Sequence, residues 1–227
     1  MSSFDWKNLI DPLFYIHFDV NGIKLGIYIV LFIVFAETGL FAGFFLPGDS
    51  LLFLAGIYSR ELIENILFID SDFINVFLLA TLVAFSGIFG NIIGYWFGSK
   101  SGHYLYNKED SFWFKKKYLV QSKDFFEKHG GRAIIFARFL PIFRTFAPIV
   151  AGIVSMERKK FMYFNVLSSF LWSFTLIFAG HYLYGFLLNN YQIDLKKHIE
   201  FIVIILVLLT LLPVIIKLAK KAPISNE

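Results

Sequence analysis

Five long apolar stretches constrain the fold of this chain more than any other feature. They are Leu25–Ile57, Phe73–Phe97, Ala133–Val154, Phe161–Leu188 and Ile199–Ile216. A helix that crosses the hydrocarbon core of a bilayer needs about 20 mostly apolar residues. Of the 227 residues 57% are hydrophobic, which exceeds the roughly 45–50% of a soluble domain. We therefore predict an all-α integral membrane protein, a single membrane domain over residues 1–227, with 73–97, 161–188 and 199–216 as spanning helices.

The other two stretches are predicted to be broken. Residues 25–57 are too many for one span, and Pro47-Gly48 interrupts them, because proline lacks a backbone donor and glycine loosens the helix. Residues 133–154 contain Pro141 and two arginines, which a plain lipid-facing helix would not contain. We expect two opposed re-entrant hairpins with breaks at Pro47, Gly48 and Pro141, and the charges leave a full crossing by residues 25–57 open as the alternative. Both contain Phe-Leu-Pro followed by Ala-Gly-Ile, which leaves an inverted repeat and chance similarity equally open.

Basic residues predict the orientation of the chain. The loop 100–132, the loop 157–160 and the tail after Ile216 are rich in lysine and arginine, so all three are expected in the cytoplasm, together with the C-terminus. This requires residues 133–154 to enter and leave the membrane on the cytoplasmic side, while the acidic loop 60–72 lies outside. Residues 112–129 mix aromatic side chains with lysines, which is typical of an amphipathic segment lying on anionic lipid. The net charge of +4 is thus explained without a nucleic-acid partner.

Four ionisable residues lie inside the two broken stretches: Glu37 and Asp49 in the first, Arg138 and Arg144 in the second. Each charge at bilayer depth costs about 2.5–3.5 kcal/mol, so the four must face one another, water or a ligand. In one hypothesis the acids only neutralise the arginines and join the two hairpins. In the other, which we favour, Arg138 and Arg144 bind a phosphate through guanidinium forks, and Glu37 and Asp49 couple this binding to protons.

Other chemistry has little support in the sequence. There is no cysteine, and we find no hydrolase elbow, P-loop, zinc-spaced histidine pair or dinucleotide fingerprint. We expect no cofactor, no metal and no enzymatic activity. The residues Ser86, Gly90, Gly94 and Gly98 recur every fourth position and predict a helix-packing face. Asn91 on the same helix either contributes to the site or forms an interhelical hydrogen bond.

Five motifs follow one another along the chain: Glu37-Thr38-Gly39, Phe45-Leu46-Pro47-Gly48-Asp49, Phe126-Glu127-Lys128-His129-Gly130-Gly131, Ala137-Arg138-Phe139-Leu140-Pro141 and Phe143-Arg144-Thr145. In this order they resemble the signature of the DedA family of bacterial inner-membrane proteins. The resemblance implies two opposed re-entrant loops and a flippase that moves polyprenyl phosphate, typically undecaprenyl phosphate, or a phospholipid. It also implies that the two acids and two arginines are functional, with dependence on the proton-motive force. Where close family members have an acid, this chain has Asn91, so the role of that acid does not carry over.

Two alternatives to a selective transporter stay open at this stage. The paired hairpins could thin the bilayer and scramble lipids without selecting a headgroup. The glycine stripe and the lysine-rich loop could instead recruit partners, as in a structural or interaction protein. A homo-oligomer is also compatible with the sequence.

Overall fold

The computed structural model describes residues 12–20, 22–39, 48–107, 116–192 and 194–195. The predicted span 199–216 and the basic tail lie outside these ranges. The described chain is almost entirely helical, apart from a short hairpin in which Asp19–Val20 (β1) pairs with Ile23–Lys24 (β2). The helices are α1 Pro12–Ile16, α2 Gly26–Gly39, α3 Gly48–Ile57, α4 Ser59–Glu64, α5 Asp72–Asn107, α6 Lys116–His129, α7 Arg132–Arg138, α8 Pro141–Ile153 and α9 Arg158–Tyr191.

The helices α5 and α9 form the centre of the fold. Within the described residues, two helical segments are long and apolar enough to cross a membrane, Asp72–Gly102 and Arg158–Tyr191. At 1.5 Å per residue, the 31 residues of the first extend about 46 Å, more than the hydrocarbon thickness of about 30 Å. The outward faces of α5 and α9 expose large apolar side chains, and an apolar patch of this size suits contact with lipid rather than with water. The exposed side chains include Phe73, Phe77, Phe85, Phe89, Leu171, Tyr182 and Phe186.

In the described residues, each predicted broken stretch contains two separate helices. In the first, α2 ends at Gly39 and α3 begins at Gly48; Pro47 lies outside the described residues. In the second, α7 ends at Arg138 and α8 begins at Pro141. Leu140 between them is extended, with φ −112° and ψ 110°, because a residue that precedes proline is disfavoured in the helical region. Pro141 itself suits the first helical position, where no amide donor is needed. We call α2–α3 and α7–α8 the first and second broken segments.

The two broken segments pack on the long helices in the same way. The first helix of each lies on the long helix that follows it in sequence, so α2 contacts α5 and α7 contacts α9. The second helix of each lies on the other long helix, so α3 contacts α9 and α8 contacts α5. Each broken segment therefore bridges both long helices.

Glycines make the two outer crossings close. At the α3–α9 crossing, a Cβ on Gly56 would collide with the carbonyl oxygen of Ile177, and one on Gly180 with that of Phe53. The same relation holds at the α5–α8 crossing. There a Cβ on Gly98 would collide with the carbonyl oxygen of Ile149, and one on Gly152 with that of Tyr95. On each helix the glycine comes three residues after the residue that supplies the carbonyl oxygen. The four pairs are Phe53 and Gly56, Ile177 and Gly180, Tyr95 and Gly98, and Ile149 and Gly152. The two halves therefore share one packing arrangement.

Charge differs strongly between the two ends of this bundle. The long helices are antiparallel, since Phe73 contacts Phe178 at one end and Tyr95 stacks on Phe161 at the other. At the first end Arg60 forms ion pairs with Glu64, Asp70 and Asp72, and the hydrogen bond to Glu64 raises the pKa of the Arg60 guanidinium. The opposite end carries the basic start of α9, Arg158-Lys159-Lys160, and Lys100 of α5.

Candidate functional site

Arg144 joins the two broken segments through a buried ion-pair triad. It lies in the first turn of α8, where its Nη1 donates to Asp49 Oδ1 and its Nη2 donates to Glu37 Oε1. The side chains of Arg144 and Glu37 are 4% and 2% exposed, and that of Asp49 is 15% exposed. One guanidinium fork thus spans two carboxylates, one from each helix of the first broken segment.

The backbone brings the two carboxylates together. Glu37 lies in the last turn of α2 and Asp49 in the first turn of α3. The negative charge of Asp49 at the start of α3 interacts favourably with the dipole of that helix. Gly48 makes the approach possible, because a Cβ at this position would overlap the carboxyl group of Glu37. The glycine predicted as a helix break therefore also provides the space that the acid occupies.

Arg138 is buried in the same cluster but is not paired. It is the last residue of α7 and is 2% exposed. Its Nε, Nη1 and Nη2 have no hydrogen-bond partner among the described residues. The guanidinium lies against α5 at Gly87, where a Cβ would collide with Nη2. Buried donors without partners cost about 1–3 kcal/mol each, so this arrangement requires either a stabilising neighbour or a ligand.

Trp172 is that neighbour, and the sequence reasoning missed it. The ring is 1% exposed and lies under both guanidinium groups, with its centroid 4.8 Å from Arg138 Cζ and 5.3 Å from Arg144 Cζ. Its Nε1 donates to Asp49 Oδ1 at 3.0 Å. Trp172 therefore contacts three of the four charged residues at once, from a helix that belongs to neither broken segment.

A periodic signal in the sequence could have located Trp172. The buried polar positions of α9 follow the spacing i, i+3, i+4, i+7, i+8, which predicts one helical face. They are Asn165, Ser168, Ser169, Trp172 and Ser173. A polar face on an otherwise apolar span points into the protein, and a tryptophan on that face belongs to the polar interior rather than to the lipid surface.

Asn91 forms an interhelical hydrogen bond, one of its two predicted roles. Its Nδ2 donates to Asn165 Oδ1 at 2.6 Å, and Asn165 Nδ2 donates to the carbonyl of Ile88 at 3.2 Å. The predicted small-residue face also packs as expected. Gly90 lies against Thr38 of α2, and Gly94 lies against Pro148 and Ile149 of α8.

Within the described ranges, no group of three or more histidine, aspartate or glutamate side chains is arranged to bind a metal ion. Glu37 and Asp49 share Arg144. The guanidinium nitrogens of Arg138 beside them have no hydrogen-bond partner among the described residues. Such an arrangement can bind an anion at Arg138 without breaking the existing ion pairs.

Comparison with known proteins agrees with this architecture. The VTT domain family matches residues 46–182, a range that includes Asp49, Arg138, Arg144 and Trp172 and begins after Glu37. Protein DedA of Escherichia coli strain K12 is 38% identical over 181 residues, which cover 77% of this chain and 78% of DedA. The chain belongs to the DedA family.

Two further relatives extend the match. An uncharacterized membrane protein of Mycobacterium tuberculosis strain H37Rv is 34% identical over 217 residues, covering 94% of this chain and 87% of that protein. Inner membrane protein YghB of Escherichia coli strain K12 is 34% identical over 151 residues, covering 64% of this chain and 63% of YghB. No solved structure gives a significant match. The resemblance inferred from the motifs is thus confirmed, and this DedA-family chain is a membrane protein.

Proposed function

We propose that this protein transports a phosphorylated lipid, a polyprenyl phosphate such as undecaprenyl phosphate or a phospholipid, between the leaflets of the bacterial inner membrane. The observation that carries the proposal is Arg138, a buried cation whose guanidinium donors have no partner among the described residues. A phosphate monoester or diester offers the oxygens that such a fork accepts in pairs.

The two arginines have different roles in this proposal. Arg144 already donates from Nη1 to Asp49 and from Nη2 to Glu37. In this state it holds the two broken segments together. Arg138 is the first contact of the headgroup, and Arg144 becomes available only when a carboxylate leaves it. The sequence hypotheses assigned either phosphate binding or neutralisation of the acids to both arginines together. Here Arg138 binds the phosphate and Arg144 neutralises the acids.

Proton coupling follows from competition for Arg144. If the phosphate displaces Glu37 or Asp49, the released carboxylate is buried beside a second anion, which favours its protonated form. Glu37 is the better candidate, because its Oε2 is buried and has no partner among the described residues. Binding of the lipid anion would then take up a proton, and release of the lipid would return it.

The charge distribution supports the proposed orientation. The basic start of α9 lies at the same end as Lys100, and the acidic cluster around Arg60 lies at the opposite end. By the positive-inside rule the basic end is cytoplasmic. Both broken segments would then be re-entrant, the first opening to the outside and the second to the cytoplasm, with the C-terminus in the cytoplasm.

Flipping by purified protein in proteoliposomes tests the proposal. Arg138→Lys keeps the charge and loses the fork, and a lost hydrogen bond to a charged group is worth about 1.5–3 kcal/mol. We expect flipping of polyprenyl phosphate to fall at least about tenfold. Arg60→Lys is the matched control, because Arg60 is exposed and surface ion pairs contribute little.

Two results would contradict the proposal. Near-normal flipping by Arg138→Lys would assign Arg138 a structural role only. Equal flipping of polyprenyl phosphate and of uncharged polyprenol would indicate nonspecific scrambling, in which the headgroup is not recognised.

A further inference from the structure

A basic cavity of about 540 Å³ lies apart from the buried cluster. The cavity is formed where α6 ends, α7 begins and α9 makes its first turn. Its charged lining includes Lys128, Arg132 and Lys160, and its aromatic lining includes Phe125, Phe136 and Phe164. The cavity opens at the basic end of the long helices, where α9 begins.

The cavity has an excess of positive charge. Lys128, Arg132 and Lys160 form no ion pair with any residue that the structure describes. Glu127 is the acid among the described lining residues, and its carboxylate already faces Lys123 at 3.9 Å. Three cations therefore line one cavity against a single carboxylate, which is already paired with Lys123.

The turn between α6 and α7 brings these cations together. Gly130 has φ +58°, a left-handed conformation that glycine adopts at little cost, and it redirects the chain from α6 into α7. A Cβ on Gly130 would lie 3.3 Å from Lys160 Nζ, so the ammonium group of Lys160 lies directly over this turn. The cavity is thus a product of the local fold and not only of the abundance of lysine at this end.

The aromatic rim distinguishes a lipid from a free anion. Phe136 is 71% exposed and Phe125 is 49% exposed, and both lie beside the cations at the end of membrane-crossing helices. An inorganic phosphate would use the cations but not the phenyl rings, whereas an acyl chain would cover them. We propose that this cavity binds the headgroup of an anionic phospholipid, with its phosphate on Arg132 and Lys160 and its glycerol and upper acyl chain against Phe136.

The cavity is linked to the buried cluster by one short helix. Arg132 is the first residue of α7 and Arg138 is the last, and six residues of α-helix advance about 9 Å. A bound lipid would therefore lie one short helix away from the unpaired guanidinium. The binding proposal does not depend on transport, because a resident lipid at this site would equally anchor α6 and α7 to the membrane surface.

Native mass spectrometry of the full chain in detergent can test the site. The probe is a short-chain phosphatidylglycerol, with the matching phosphatidylcholine as the neutral comparison. In the wild-type protein we expect tighter binding of phosphatidylglycerol. Arg132→Gln combined with Lys160→Gln should weaken this binding by about tenfold or more. The matched control is Lys100→Gln combined with Lys159→Gln, which removes two charges from the same end but outside the cavity and should change the affinity less than about twofold.

Each outcome decides between a lipid site and general surface charge. Equal weakening by both double variants, or equal binding of the two lipids by the wild type, would overturn the proposal. Displacement of phosphatidylglycerol by an equimolar amount of inorganic phosphate would show that the acyl chain adds nothing to the affinity, and it would also overturn the proposal. Arg132→Lys with Lys160→Arg preserves both charges and should retain binding, which separates charge from misfolding. The assay measures binding and not flipping, so failure of the transport proposal leaves this result unaffected.

Discussion

Replacing each arginine of the cluster with methionine should separate stability from transport. Methionine is unbranched and apolar, and it fills space similar to that of the arginine stem. Arg144→Met removes the shared partner of Glu37 and Asp49. Leaving buried charges without a partner costs about 3–5 kcal/mol, so we expect a free energy of unfolding lower by that amount.

Arg138→Met should behave differently. It removes a guanidinium whose Nε, Nη1 and Nη2 have no partner among the described residues, which relieves about 1–3 kcal/mol per unsatisfied group. Against this stand the loss of the contact with Trp172, worth up to about 2 kcal/mol when desolvated, and of attraction to the two acids. These contributions oppose each other, so we expect Arg138→Met to destabilise the protein much less than Arg144→Met does. Both variants should lose transport.

The measurement is unfolding in mixed micelles with increasing denaturing detergent, followed by circular dichroism, together with flipping normalised to folded protein. The expected difference in the free energy of unfolding between the two variants is about 3 kcal/mol. Equal destabilisation by both substitutions would refute the reasoning, because Arg138 would then be as well paired as Arg144. As an internal check, Glu37→Gln should recover part of the stability that Arg144→Met loses.

Three further predictions follow from the packing, the tryptophan and the charge distribution. Gly152→Ala should strongly reduce the yield of folded protein, because its Cβ would collide with the carbonyl oxygen of Tyr95, whereas Gly185→Ala should not, since nothing lies within 4 Å of the added Cβ; equal yields would argue against the close crossing. Trp172→Phe keeps a ring but removes the hydrogen bond to Asp49, so flipping should fall by about tenfold or more, while Trp96→Phe on the exposed face of α5 should be neutral; normal flipping by the former would exclude Trp172 from the site. A cysteine at Arg158 should be labelled by an impermeant thiol reagent only after the membrane is opened, and labelling from outside would refute the proposed orientation.

The start of α8 could be predicted from the sequence because its cause is local. Pro141 fixes its own backbone angle and restricts Leu140, so the start of α8 follows from two neighbouring residues. The boundaries of α5 were harder to predict. The apolar stretch ends at Phe97, but the helix continues to Asn107, because Gly98 and Gly102 pack against Ile149 and Ile153 of α8. That contact is long-range and leaves no mark in local hydropathy.

The pairing within the cluster was beyond sequence reasoning for a similar reason. The cost of placing charges at bilayer depth predicted that the two acids and two arginines lie close together. It did not indicate that both acids pair with Arg144 while Arg138 has no hydrogen-bond partner among the described residues. The partners are 95 and 107 residues apart, so the choice depends on how α2, α3, α7 and α8 are arranged in space. Trp172 was missed because one tryptophan in an apolar span resembles many lipid-facing aromatic residues until its polar neighbours on the same helical face are considered.

The separation of acids and arginines between the two broken segments has a consequence for synthesis of the chain. Glu37 is made 107 residues before Arg144, which at about 5–20 residues per second corresponds to roughly 5–20 s. During that interval the nascent first half contains two carboxyl groups and no arginine partner for them in the membrane. Those carboxyl groups must stay hydrated or protonated until the second half emerges. A ribosome that stalls between the two segments would therefore leave an inserted fragment with uncompensated acids, a feature by which membrane quality control could distinguish it from the finished protein.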